Sequence, residues 1–344
     1  MFDNEYMLNF LEDILNTPSP SGFAHLAIAK VKEQAEEMGY STNLIPKGGL
    51  FIDVEGQDQS RKIALSAHVD TLGAMVRSIT SSGTLKYTSI GGFNHNSVEG
   101  EYCKVFTRDG TIYTGTILTT KTSLHVFPDS GKQERKEQNM EVRLDEKVSN
   151  KKEVKKLGIQ AGDFIVFDSR TEITEKQFIK SRHLDDKASV AIIMAVLKKM
   201  SEEGIKPLYD TTILISNYEE VGHGASFIPS DIEEMLAVDM GAMGSDLETT
   251  EFDVSICAKD SSGPYDFNLT THLVNLAKKN EIKYAIDIYP RYGSDASAAL
   301  RAGSNIRAAL IGPGVHASHA LERTHLEGLV NTAKLIYAYL TEKE

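Results

Sequence analysis

Residues 62–70 read Lys62-Ile-Ala-Leu-Ser-Ala-His68-Val-Asp70, an apolar run that ends in a histidine and a carboxylate. Two later stretches are built the same way. Thr211-Thr-Ile-Leu-Ile-Ser-Asn-Tyr runs into Glu219-Glu220-Val-Gly222, and Met235-Leu-Ala-Val runs into Asp239. Short apolar runs bounded by polar residues read as buried strands. In an open α/β sheet the ligand lies just beyond the carboxyl ends of such strands. Three strand ends bearing His, Asp and Glu therefore converge on one point. A fourth element, Arg182-His183-Leu184-Asp185-Asp186-Lys187, opens a long helix expected over 186–203 and aims a carboxylate at the same place.

Outward from these strands the chain alternates. Strands are expected at 211–217, 234–238, 252–257, 284–288 and 305–311, with helices at 266–280, 294–302 and 322–341. The first 70 residues have the same character, with an amphipathic helix at 5–16 that stops at Thr17-Pro18-Ser19-Pro20-Ser21-Gly22, because proline cannot continue a helix. A second helix at 23–38 ends at Gly39, and strands follow at 50–54 and 62–67. This alternation predicts an α/β domain: a mainly parallel mixed sheet flanked by helices.

Between its halves the texture changes. Gly73-Ala-Met-Val-Arg-Ser-Ile, Thr84-Leu-Lys-Tyr-Thr-Ser-Ile and Thr111-Ile-Tyr-Thr-Gly-Thr-Ile-Leu are short, β-branched and punctuated by glycine, the pattern of a small antiparallel domain or barrel. Residues 132–156 carry nine basic and six acidic side chains. They read as a solvated loop, then a short exposed helix from Ser149–Asn150. A strand at 163–167 closes the segment. The expected organisation is a catalytic domain, 1–70 plus 172–344, interrupted by an inserted β domain, 71–171.

Composition narrows the function. The 344 residues carry 37 Lys and Arg against 49 Asp and Glu, a formal charge of −12, which disfavours nucleic acid and anionic membranes as partners. The longest apolar stretch, 188–197, is about half of what a bilayer span needs. Only Cys103 and Cys257 are present, so a disulfide framework or thiolate zinc site is not expected, and a reducing cytoplasm is the expected compartment.

Taken singly, the polar strand ends are unremarkable. His68-x-Asp70 is a common spacing, Asp185-Asp186 suits a helix N-cap, and Asp239 suits a turn. As a set they have the residue types of a two-metal hydrolytic centre. Histidine and carboxylate without thiolate suit zinc, cobalt or manganese at a catalytic site. In such a centre His68 binds through one ring nitrogen and Asp70 accepts a hydrogen bond from the other. Two adjacent acids ending a buried strand repel unless a cation or shared proton relieves them, and the acid not used as a ligand supplies a general base.

Ala67-His-Val-Asp70, Leu184-Asp-Asp-Lys187, Glu219-Glu-Val-Gly222, Val238-Asp239 and Gly293-Ser-Asp-Ala296, in this order, resemble the successive motifs of the TET-type aminopeptidases. These form the glutamyl aminopeptidase or "cellulase M" group of co-catalytic zinc metallopeptidases. The resemblance implies that His68, Asp185 and Asp239 bind one metal ion and that Asp185 bridges to a second, held by Glu220 and a late histidine. It assigns Glu219 as general base and Asp70 as the group that orients His68. It further implies short peptide substrates attacked at a free N-terminus, and an inserted β domain that builds dimers able to assemble further, to a dodecamer. The 115 positions from Asp70 to Asp185 leave room for such an insertion, whereas Glu220 and Asp239 are only 19 apart.

The last ligand departs from the family pattern. In Gly312-Pro-Gly-Val-His316-Ala-Ser-His319-Ala-Leu-Glu322-Arg-Thr-His325 three histidines compete. His319 is favoured by its offset from Pro313, His316 comes second, and His325 is expected on the final helix. Two other readings stay open: a glycoside hydrolase, which needs two carboxylates but no metal, and a non-catalytic assembly protein that keeps the fold.

Overall fold

The computed structural model describes residues 1–343. The chain forms two compact units, Met1–Asp70 joined by the chain from Arg170 onward, and Thr71–Ser169.

The first unit is built on a ten-stranded sheet whose centre is four parallel strands in the order Tyr209–Ser216, Asp58–His68, Glu234–Val238, Arg307–Val315. Leu50–Val54 continues it antiparallel on one side and Val254–Asp260 on the other. The sheet is thus mixed with a parallel core. Its register matters for function. Ser216 lies level with His68, and Ala237 with Ser66, so His68, the residues after Ser216, and Asp239 emerge together at one edge.

The central strands are apolar on both faces, as a covered parallel sheet requires. Leu65, Ile213, Ile215, Leu236, Val238 and Ile311 share one core with the helices Asn4–Leu15, Leu184–Glu203 and Leu326–Thr341. Ala64, Leu214, Met235, Ala237 and Leu310 face the other way, toward Ala296 and Ala299 of the helix Asp295–Arg301. The alternation of neighbours between faces is the period of two that strands impose. Leu184–Glu203 is buried along most of its length, which explains why its sequence is apolar nearly all round. Gly39 ends the second helix as expected. It takes φ +88°, and Tyr40 N–H bonds back to Ala35 O at 3.0 Å, the left-handed termination that glycine permits.

Two expectations are corrected. The final helix begins at Leu326, not 322. Residues Glu322–His325 form a strand antiparallel to Phe178–Ser181. Glu322 and Thr324 point inward in alternation, and His325 then caps the helix by accepting Glu327 N–H at 3.0 Å. The charge-rich stretch 132–156 is not simply a loop before a helix, because it contains the strand Met140–Leu144. There Met140, Val142 and Leu144 are buried between Glu141 and Arg143.

That strand completes the second unit, a closed six-stranded barrel of Gly73–Ile79, Leu85–Ile90, Met140–Leu144, Ile112–Thr119, Tyr102–Phe106 and Phe164–Phe167. It has its own core, centred on Val76, Tyr87, Val105, Ile117 and Ile165. The short helix Lys151–Lys156 follows Asn150, whose side chain accepts Lys152 and Glu153 N–H. No helix among the described residues is long and apolar enough to cross a membrane.

Candidate metal centre

His68 is the last residue of its strand and only 1% exposed. Its Nε2 faces Asp185 Oδ1 at 3.2 Å and Glu219 Oε2 at 3.7 Å. The other oxygen of Asp185 faces a different histidine, with His319 Nε2 3.3 Å away. That same nitrogen is 3.4 Å from Glu220 Oε2. Asp185 therefore stands between two nitrogen donors, one carboxylate oxygen turned to each. Donor atoms of His68, Asp185 and Glu220 lie within 4.8 Å of one another, as do those of His68, Glu219 and Asp239. All six side chains belong to the first unit.

Local structure explains these positions. Leu184 opens the long helix, but Asp185 (φ −76°, ψ 101°) and Asp186 (φ −123°, ψ 24°) leave the helical region, and the peptide between them is cis. Asp186 Oδ2 accepts His68 N–H at 3.2 Å, tying this turn to the strand end. Glu219 and Glu220 occupy a single 3-10 turn between the left-handed residues Tyr218 and Gly222. Both of their N–H groups point at the Asp70 carboxylate, at 3.2 and 3.4 Å, and the Ser21 hydroxyl donates to it at 2.5 Å.

The role read for Asp70 thus changes in detail. His68 Nδ1 is 2.9 Å from the main-chain oxygen of Asp70, whereas the carboxylate Oδ1 stands 3.7 Å away. The carboxylate chiefly anchors the turn bearing Glu219 and Glu220. Asp295 anchors the far side of that loop, accepting from Ser216 Oγ at 2.6 Å and Ala225 N–H at 2.8 Å.

The electrostatics are those of a site short of positive charge. Burial, reinforced by neighbouring acids, pushes Glu219 and Glu220 well above the carboxylate range. Burial and the charge of Asp185 push Asp239 up to about 7. Asp185 is held low against its burial by hydrogen bonds from His319 and His68. His68 is raised despite its burial, by Asp185 and then by the charges of Glu219, Asp186 and Asp239.

These residues fit divalent ions. Glu220 Oε1 is buried with no hydrogen-bond partner, an expensive state for a carboxylate oxygen unless a cation meets it. The donors are nitrogen and oxygen only. The two cysteines lie elsewhere, Cys103 in the barrel and Cys257 in the strand Val254–Asp260.

Of the three late histidines the structure brings only His319 to Asp185 and Glu220. His316 is exposed and its main chain pairs with Arg323, while His325 caps the final helix. Ser21, Ser318 and Glu322 also contact these groups, and no sequence pattern marks them. Ser318 Oγ donates to Asp185 Oδ2 at 2.9 Å. Ser21 sits in a stretch that reads only as a turn, and Glu322 in one that reads as the start of a helix.

Comparisons with known proteins bear on the family and the fold. The model of the M42 glutamyl aminopeptidase family matches residues 48–335. The chain is 52% identical over 334 residues to the Bacillus subtilis (strain 168) protein named "Putative aminopeptidase YhfE", covering 97% of this chain and 96% of that one. Among solved structures, the TET1 peptidase of Pyrococcus horikoshii superposes with a TM-score of 0.85 at 23% identity, covering 98% and 100% of the two chains. The TET aminopeptidase of a marine-sediment Thaumarchaeota archaeon gives a TM-score of 0.89 at 20% identity, with 98% and 97% covered.

Proposed function

The chain belongs to the M42 glutamyl aminopeptidase family, and from that premise we propose that it is a dinuclear metallo-aminopeptidase removing N-terminal residues from short peptides. The observation that carries the reading is the Asp185 carboxylate, whose two oxygens face His68 and His319 at 3.2 and 3.3 Å. In this reading His68, Asp185 and Asp239 hold one ion and Asp185, Glu220 and His319 the other, with zinc favoured and cobalt or manganese also suited to the donors.

Two such ions supply an activated water and polarise the scissile carbonyl. The remaining work falls to this chain's own groups. Glu219 is the general base, taking the proton of the attacking water and returning it to the leaving amine. Its backbone, and that of its neighbour Glu220, is held by one carboxylate, Asp70, so base and ligand move as a unit. Asp70 O fixes the orientation of the His68 ring through Nδ1. Ser318 Oγ holds Asp185 Oδ2 in the direction of His319.

The Pyrococcus horikoshii TET1 peptidase assembles into a tetrahedron or a large octahedral shell. By that likeness this chain forms homo-oligomers, and we assign the barrel unit the dimer contact. The acidic charge and the two buried thiols suit a cytoplasmic enzyme without nucleic-acid or membrane partners.

The test is Glu219→Gln. It keeps the shape of the side chain and removes its basicity, so both ions remain while kcat on aminoacyl-anilides falls by about 10²–10⁴-fold. Full activity in that variant overturns the mechanism.

A further inference from the structure

We infer that Glu322 is a positioning residue that clamps together the two backbone turns carrying Asp185 and His319, and that this clamp forms the half of the centre to which His319 belongs. The inference rests on the two-ion reading above only for its metal-binding consequence.

The geometry is specific. Glu322 is 2% exposed. One of its oxygens accepts Asp185 N–H at 3.0 Å and the other accepts His319 N–H, also at 3.0 Å. These two amides are 134 positions apart in the chain, and no other carboxylate accepts from both among the described hydrogen bonds. One side chain thus makes two main-chain hydrogen bonds, one through each carboxyl oxygen. Their directions are fixed because Glu322 lies on a strand, register-paired with Ser181, three residues before the turn at Leu184.

The loop that bears His319 needs such a clamp. His316 and Arg323 close it by two main-chain hydrogen bonds, 2.8 and 3.1 Å. Within it Ala317 and His319 take φ +58° and +64°, a region that non-glycine residues seldom adopt. A loop of this kind does not hold a ring nitrogen in place by its own preference. With Glu322 gripping His319 N–H from beneath, the ring stays opposite Asp185 and Glu220. Because the same side chain grips Asp185 N–H, the donor from the loop and the donor from the long helix are set against each other directly. His68 and Asp239 have other anchors, the sheet itself and Asp186.

The experiment compares the chelator-stripped wild type with Glu322→Ala, Glu322→Gln and Arg323→Ala. Arg323 is next to Glu322 and pairs outward with Glu251, so it reports general damage to the loop. Hydrogen exchange is followed on the segments containing Asp185 and His319, and zinc is then titrated into each protein. Losing the clamp should raise exchange of both amides by about tenfold or more in Glu322→Ala. Glu322→Gln, which keeps the volume and one acceptor, should release one of them. The first zinc equivalent should bind as in wild type and the second about 10–100-fold more weakly in Glu322→Ala. Arg323→Ala should resemble wild type in both measurements.

Wild-type exchange at both amides in the two Glu322 variants overturns the inference. Equal weakening of both zinc equivalents also overturns it, as does loss of protection throughout the sheet in Glu322→Gln. A wild type that takes fewer than two zinc ions refutes the two-ion reading instead, and the exchange measurement still decides the clamp.

Discussion

Gly312→Ala isolates the dependence of the site on one close backbone approach. Gly312 follows Ile311, which pairs with Val238 and accepts Asp239 N–H at 2.9 Å. A Cβ at position 312 would lie 1.7 Å from the Asp239 carbonyl oxygen and 2.5 Å from its carbon. No side-chain carbon tolerates less than about 3.0 Å, so the Asp239 main chain must retreat by roughly 1.3 Å. Neither partner can yield by rotating a side chain, because the obstacle is main chain just beyond the end of the strand Glu234–Val238, and Gly312 is itself paired with Ser255 on its other side. Overpacking of this kind costs about 1–3 kcal/mol, which lowers the melting temperature by roughly 3–10 °C in a unit of this size. The effect on activity is larger in proportion, since a misplacement of about 1 Å near the reacting groups costs about 10²-fold. The assay is kcat/KM on an aminoacyl-anilide, with metal content and thermal melting measured on the same preparation. Gly131→Ala is the comparator, because a Cβ there meets nothing within 4 Å. Gly312→Ala with wild-type kcat/KM and two ions per chain would refute the placement of Asp239 as a ligand.

Two further outcomes are expected. His319→Ala loses one bound ion per chain and most of its turnover, whereas His316→Ala keeps both, as metal analysis and the anilide assay will show. The Cys103 and Cys257 thiols, pushed up to about 12 by burial, carry a thiolate fraction of only about 10⁻⁴ at pH 8. A disulfide reagent should therefore titrate neither on mixing with the native protein and both after guanidinium unfolding.

The parts of this protein legible from sequence are those where one physical rule dominates. Strands such as Lys62–Ala67 and Met235–Val238 are apolar on both faces, and a parallel sheet explains why their ends carry the polar groups. His68, Glu219, Glu220 and Asp239 are therefore legible where apolar runs stop, and Asp185 where an apolar helix begins. Met140–Leu144 escaped because its inward Met140, Val142 and Leu144 sit within a stretch dominated by charge. Glu322–His325 escaped because its few residues run directly into an apolar helix, and a strand that short has too little alternation to stand apart. The same ambiguity hid Glu322, since a glutamate before a helix reads as a first-turn acid. What no sequence pattern conveys is the use of main-chain groups. Asp70 lends its carbonyl to His68 and its carboxylate to two amides, and the residue type alone points only to the carboxylate.

The central claim is that one carboxylate, Asp185, is shared by two metal ions with different remaining ligands. Anomalous diffraction from crystals grown with zinc, recorded on both sides of the zinc absorption edge, tests it directly. The account predicts two peaks per chain flanking Asp185, one beside His68 and Asp239 and the other beside Glu220 and His319. A single peak, or a second peak away from Asp185, would contradict it.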